Sequence, residues 1–363
     1  MTHRRDLGYW DEGRNLAEAS FYAEALGPDP RVLSPLAFRS LRFSQLEDEA
    51  VWTRDWVCVG SHEAIPEKGD LLPFTVGTHG VHVQRTEGGI VARFNKAQHG
   101  GCRAVPLQCQ TGAKTKCSFT SCGYSRDRGA IPASELGDGT PEMHQYLGLR
   151  PERLLTAQAR SWGPLIFVNL DIAPAWPDAE LAVLGRTGAF FGPHKPRRSP
   201  ETWLEYAANW KLMGQSLAAG ERVMSDSDTW MLAETTLTDG TAARAAWLFP
   251  NLVLIATPAS TAVVTLQPTS MGQTLCRLST YGADPHRDLP FWRAQIGHRA
   301  AQAEAEHDDL ARWGTQHRPQ TIGAALPRQS EAAGGWMQRA LAARLARLPH
   351  DEFPQPLYQN PRG

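Results

Sequence analysis

The chain changes texture along its length. Residues 1–40 are polar and helix-prone, with an amphipathic run from Asn15 to Leu26 stopped by Gly27-Pro28. From about 41 to 160 the pattern shortens to β-like runs: Trp56–Gly60, Gly80–Gln84 and Gly89–Phe94. Gly, Pro and Asp turns such as Pro66–Asp70 and Glu87–Gly89 separate them. Trp162–Asn169 reads as one further strand, and a Pro-rich stretch from Pro174 to Pro200 follows it. Leu204 to about Ala219 is expected to be helical. Strands are expected at Ala246–Phe249, Leu252–Ala256, Ala262–Leu266 and Leu275–Tyr281. Helical periodicity then returns from about Leu289 to Gln316 and from Glu331 to Leu348. Strands followed by long helices predict an α+β fold in which an antiparallel sheet grips a C-terminal helix.

Composition narrows the function classes. Hydrophobic residues make up 42% of the 363 residues, as in folded proteins. Lys plus Arg number 37 against 38 Asp plus Glu, so charge gives no case for nucleic acid or an anionic membrane as partner. No run is long and apolar enough to span a membrane, and no apolar segment follows the early arginines; the expected compartment is the cytoplasm. Most of the 12 Trp are expected in cores, Trp210 and Trp230 in the second domain. Cys58 and Cys276 read as strand core, and His79 and His82 as surface residues. Glu221, Asp226 and Asp228 read as a solvated loop.

Cys102, Cys109, Cys117 and Cys122 cluster near His99. The spacing His99-x2-Cys102-x14-Cys117-x4-Cys122 suits a closed tetrahedral zinc site, with Cys109 as a substitute ligand. The same residues also read as small apolar core positions, or as a Cys102–Cys122 disulfide in an oxidising setting.

The order of these features resembles the large subunit of Rieske-type non-haem iron (aromatic-ring-hydroxylating) oxygenases, over most of the chain. Trp56-Val-Cys-Val-Gly60 with Ile65-Pro-Glu-Lys-Gly-Asp70 is similar to that family's entry to the Rieske domain. Asn95-Lys-Ala-Gln-His-Gly-Gly101 and Cys117-Ser-Phe-Thr-Ser-Cys-Gly-Tyr124 with Arg128-Gly-Ala-Ile131 resemble its two cluster-binding loops. Trp162–Leu170, Asn209-Trp-Lys-Leu212 and Phe249-Pro-Asn-Leu252 follow in the family's order. The resemblance implies a helical segment over 1–40, a Rieske-like antiparallel β domain over 41–160 and a helix-grip (START/Bet v1-like) catalytic-type domain over 161–363.

The resemblance also marks what is missing. A Rieske cluster takes two Cys and two His; Ala97 and Thr120 stand at two of those positions, leaving His99 and Cys117. The family's mononuclear iron takes two His and a carboxylate. Arg222 and Ser227 fall at the His positions, Ala219 at the carboxylate that joins the two centres, and Asp308 or Asp309 at the third ligand. No His occurs between His194 and His286, and Arg222 is expected as a cation in the pocket.

The sequence is therefore expected to be a degenerate paralogue without a [2Fe–2S] cluster or mononuclear iron. Active members form head-to-tail rings in which electrons cross between subunits, so an inert member fits best as a separate layer. The expected role is a stabilising subunit on a catalytically intact paralogue, in an α3β3-type hetero-hexamer. The alternatives are a small-molecule-binding protein using the helix-grip cavity and an enzyme with new zinc chemistry.

Overall fold

A computed structural model describes residues 36–39, 41–95, 129–135, 155–191, 197–316 and 331–347. The expected helix over Asn15–Leu26, the sequence around Ala97 and Thr120, and His99, Cys102, Cys109, Cys117 and Cys122 lie outside the described residues. Two compact units emerge. The smaller runs from Trp52 to Trp176; the larger joins the residues up to Val51 with those from Pro177 onward. The sequence-drawn edge at 160 falls inside a paired hairpin of the smaller unit.

The described residues of the smaller unit form a six-stranded antiparallel sheet: β1 (Val57–Ser61), β2 (Leu71–Val76), β3 (His79–Thr86), β4 (Gly89–Phe94), β5 (Thr156–Trp162) and β6 (Leu165–Asn169), in the order β1-β6-β5-β4-β3-β2. Trp162–Asn169, expected as one strand, is the end of one and the whole of the next. Gly163 adopts φ +55, a conformation open to glycine, and turns the chain so that Trp162 pairs with Leu165. Buried Asp70 fixes the loop before β2, its carboxylate accepting from the backbone N–H groups of Glu67 and Ala133. On β3, Gly80 through Val83 are all buried. His82 therefore has no exposed surface, against the surface position expected for it.

The larger unit holds an eight-stranded antiparallel sheet: β7 (Arg197–Arg198), β8 (Thr202–Tyr206), β9 (Arg222–Asp226), β10 (Trp230–Thr236), β11 (Ala242–Leu248), β12 (Leu252–Ala256), β13 (Ser260–Ser270) and β14 (Gln273–Gly282). They run in the order β7-β14-β13-β12-β11-β10-β9, and β8 also pairs with β14. Its longer helices among the described residues are α1 (Leu41–Glu47), α2 (Asp178–Gly188), α3 (Trp210–Leu217), α4 (Pro285–Gln316) and α5 (Glu331–Leu345). Only the second half of the helix expected from Leu204 exists. Leu204 pairs with Cys276, and the helix waits for Asn209, whose side chain caps it by accepting from Lys211 N–H. The long helix α4 starts a turn earlier than its periodicity suggests. Asp284 caps it and Pro285 fills the first helical position, where a missing N–H costs nothing. Its apolar stripe of Trp292, Ile296, Ala300, Ala303 and Leu310 is buried. α3 packs against α4 and the sheet, bringing Gly214 onto the ring of Trp247.

The fold class is thus mixed α and β with antiparallel sheets. Among the described residues, no helix is long and apolar enough to cross a membrane.

Candidate functional site

The described part of the candidate site lies in the larger unit, where α3 ends, β9 and β10 begin the sheet and α4 crosses. Asn209 and Lys211 anchor it. Asn209 Nδ2 donates to the carbonyls of Met271, at 2.9 Å, and Phe38, at 3.3 Å. Lys211 is fully buried, its Nζ 2.5 Å from Glu47 Oε1 and 5.1–5.6 Å from the ring centres of Phe38, Trp210 and Phe43. Trp210 Nε1 donates to the other oxygen of Glu47 at 3.3 Å. Burial raises the Glu47 carboxyl and lowers the Lys211 ammonium, and their mutual attraction opposes both shifts. The Asn209-Trp-Lys motif is therefore a fastening between α3 and α1.

Ala219, Arg222 and Ser227 occupy three distinct settings. The carbonyl of Ala219 accepts from Arg299. Arg222 begins the edge strand β9 with its side chain largely exposed, and it pairs with Glu234 at 2.8 Å. It is not the pocket cation the sequence suggests. The cause is its place on an edge strand, opposite a carboxylate on the neighbouring strand. Ser227 Oγ donates to Glu180 Oε2 at 2.6 Å, and Thr229 Oγ1 donates to the same oxygen. The Ser227 carbonyl accepts from Trp336 Nε1 at 2.7 Å. Arg344 donates to the Asp228 carbonyl and Arg339 pairs with Asp226. Glu221, Asp226 and Asp228 are exposed, as expected, but Asp226 ends β9 and the turn after it is held by α2 on one side and α5 on the other. Glu221 likewise accepts from Thr236 N–H at 3.0 Å.

On α4, Asp309 is exposed and Asp308 half-buried. The residues that do point inward are Gln295, Arg299, Glu306 and His307. Glu306 accepts from Gln215 at 2.9 Å, and burial pushes its carboxyl upward. Gln295 brackets Thr238, accepting from its N–H and donating to its hydroxyl. Sequence reasoning passed over this row. The signal was present: polar residues at 295, 299 and 306 fall on the same helical stripe as Trp292, Ile296 and Ala303. Among the described residues, no three His, Cys, Asp or Glu side chains converge as a metal group would require. The four zinc candidates, His99, Cys102, Cys117 and Cys122, lie outside the described residues.

No family model matches the chain. The glycine betaine monooxygenase oxygenase subunit of Pseudomonas aeruginosa is 29% identical over 174 residues, covering 47% of this chain and 39% of that protein. The N,N-dimethyl phenylurea N-demethylase subunit alpha of a Sphingobium strain is 27% identical over 176 residues, covering 47% and 35%. These matches span less than half the length of either relative. Among solved structures, the quaternary ammonium Rieske monooxygenase CntA aligns over 89% of this chain and 98% of its own, with a TM-score of 0.62 at 14% identity. The fold is that of the Rieske oxygenases' oxygenase subunits. Naphthalene 1,2-dioxygenase gives the same result, with a TM-score of 0.60 at 13% identity over 86% of this chain and 92% of its own. Relatives found by sequence and neighbours found by structure thus agree, and the chain is related to oxygenase subunits of Rieske oxygenases.

Proposed function

We propose that this chain is a non-catalytic stabilising subunit of a heteromeric Rieske oxygenase. In this reading it is a degenerate paralogue that keeps the helix-grip scaffold and carries neither a [2Fe–2S] cluster nor a mononuclear iron of its own. The supporting observation is the surroundings of residues 219, 222 and 227. Ala219 offers no side-chain donor, Arg222 is a cation paired with Glu234, and Ser227 spends its proton on Glu180. A site of two His and one carboxylate does not fit these residues, because a guanidinium has no lone pair to give and repels a dication. In the smaller unit, Ala97 and Thr120 leave only His99 and Cys117 from the usual four cluster ligands.

Geometry then favours layering over mixing. Were this chain to alternate with active subunits in one ring, each electron transfer would end at a subunit without iron. A separate layer of three copies on an intact ring, an α3β3-type assembly, avoids that. Zinc at His99, Cys102, Cys117 and Cys122 would hold the two former cluster loops together with a closed, non-catalytic coordination shell.

The test is to purify the full chain alone and after co-expression with its nearest intact paralogue, then measure metal content, absorption, mass and turnover. The expected result is about one zinc and no iron–sulfur bands in the isolated chain, with turnover and a hetero-hexameric mass only in the co-expressed sample. Iron–sulfur bands with turnover from the isolated chain, or no association with the paralogue, would overturn the reading.

A further inference from the structure

Arg299 sits where three elements meet. Its side chain is buried, Nη1 donating to the carbonyls of Leu217 at 2.9 Å and Ala219 at 2.8 Å, and Nη2 to Thr235 Oγ1 at 2.6 Å. The backbone of Arg299 is held as well, its carbonyl accepting from Ser216 Oγ at 2.6 Å. Leu217 is the last residue of α3, Ala219 lies in the connection to β9, and Thr235 is on β10. The last carbonyls of a helix have no intrahelical donor, and a basic group placed there satisfies them. Glu221 lies near enough to favour the charged guanidinium, against the burial that disfavours it.

We propose that Arg299 is the organising cation of the larger unit, a resident guanidinium that holds the segment from Leu217 to Glu221 against β10 and sets this part of the interior without a metal ion. The inference deepens the proposed function and rests on it. A metal fixes such a segment by drawing donors from several elements to one point. The guanidinium draws acceptors from α3, the connection after it and β10 to one group, which a lysine, a point charge without a fixed fork, does poorly. The other buried cations among the described residues of the larger unit are engaged elsewhere: Lys211 pairs with Glu47, Arg277 lies over Trp203 near Glu201, and Arg344 donates to the Asp228 carbonyl.

Hydrogen exchange by mass spectrometry on the full chain tests this, comparing wild type, Arg299→Met and Arg299→Lys, each with and without EDTA. In wild type, EDTA should leave exchange of the Ala219 and Glu221 amides unchanged. Arg299→Met should speed it about tenfold or more while Leu254–Leu266 keeps its protection, with Arg299→Lys in between. If Arg299→Met does not fold, Thr235→Val removes one of the three acceptors and should give a smaller rise in the same segment. Unchanged exchange at 217–221 in these variants, with no iron bound, would overturn the role of Arg299 and leave the proposed function standing. A wild-type segment that EDTA opens as far as Arg299→Met does, in a chain that binds iron, would overturn both.

Discussion

A lysine ammonium among aromatic rings is costly unless an anion meets it there, and Lys211 meets Glu47 with neither side chain more than 4% exposed. Removing one partner strands the other's charge. Lys211→Met should therefore cost about 3–5 kcal/mol in urea unfolding, while adding Glu47→Leu to it should recover most of that loss. His82 makes a second residue-scale case. Burial, with the Arg93 charge beside it, pushes its pKa from 6.5 down to about 3. Between those values the unfolded chain binds a proton that the folded chain refuses, so stability present above pH 6.5 is lost as pH falls toward 3. The slope should approach about 1.4 kcal/mol per pH unit. His62, whose Nδ1 lies 2.9 Å from Arg85 Nη2, is lowered in the same sense by burial and that charge. Urea midpoints at pH 7 and 5 measure the effect, and His82→Leu should lose most of the difference. Neither behaviour was legible from single residues. His82 reads as a surface position if it flanks a strand, yet it lies within β3, where four consecutive buried residues mean that both faces are covered.

At the level of elements, α3 lies against β11 through an absent side chain. A Cβ on Gly214 would come within 2.2 Å of the Trp247 ring. Gly214→Val should therefore destabilise the larger unit by about 1–3 kcal/mol or more through overpacking, read as a lowered thermal midpoint with the smaller unit's acid response unchanged. The strands from β12 to β14 were legible as runs of β-branched and apolar residues bounded by turn signals, whereas Ala-rich β11 was legible only in its second half, around Trp247. The failures had physical causes too. Thr202–Tyr206 carries no strong alternation and becomes a strand because β14 offers it a partner over five residue pairs. α2 was hidden in a Pro-rich stretch and is recognisable only by Leu181 and Leu184, which it buries, and by Glu180, which it turns toward Ser227 and Thr229. The inward polar row of α4 was missed because the resemblance drew attention to Asp308 and Asp309 instead.

For the whole molecule, the motif order carried the fold further than it carried the site. Asp70 with its loop and Asn209-Trp-Lys hold separate stretches of backbone together, so they report on architecture and carry no information about the chemistry of the site. The larger unit is also discontinuous in sequence. The chain leaves it at Val51 and re-enters at Pro177, and between those points it closes the smaller unit on itself. Trp56 Nε1 donates to the Ala175 carbonyl at 2.7 Å, and its ring meets Trp176 edge to face at 4.8 Å. On a ribosome this imposes an order. Every described strand of the smaller unit, to Asn169, is made before the first described strand of the larger unit's sheet, at Arg197. Glu47 meanwhile emerges 164 residues ahead of the lysine that neutralises it. At about 5–20 residues per second, that carboxylate stays in water for on the order of ten seconds or more before its partner is made. During that interval Phe43 of α1, fully buried in the finished unit, is exposed to any chaperone that binds nascent apolar segments.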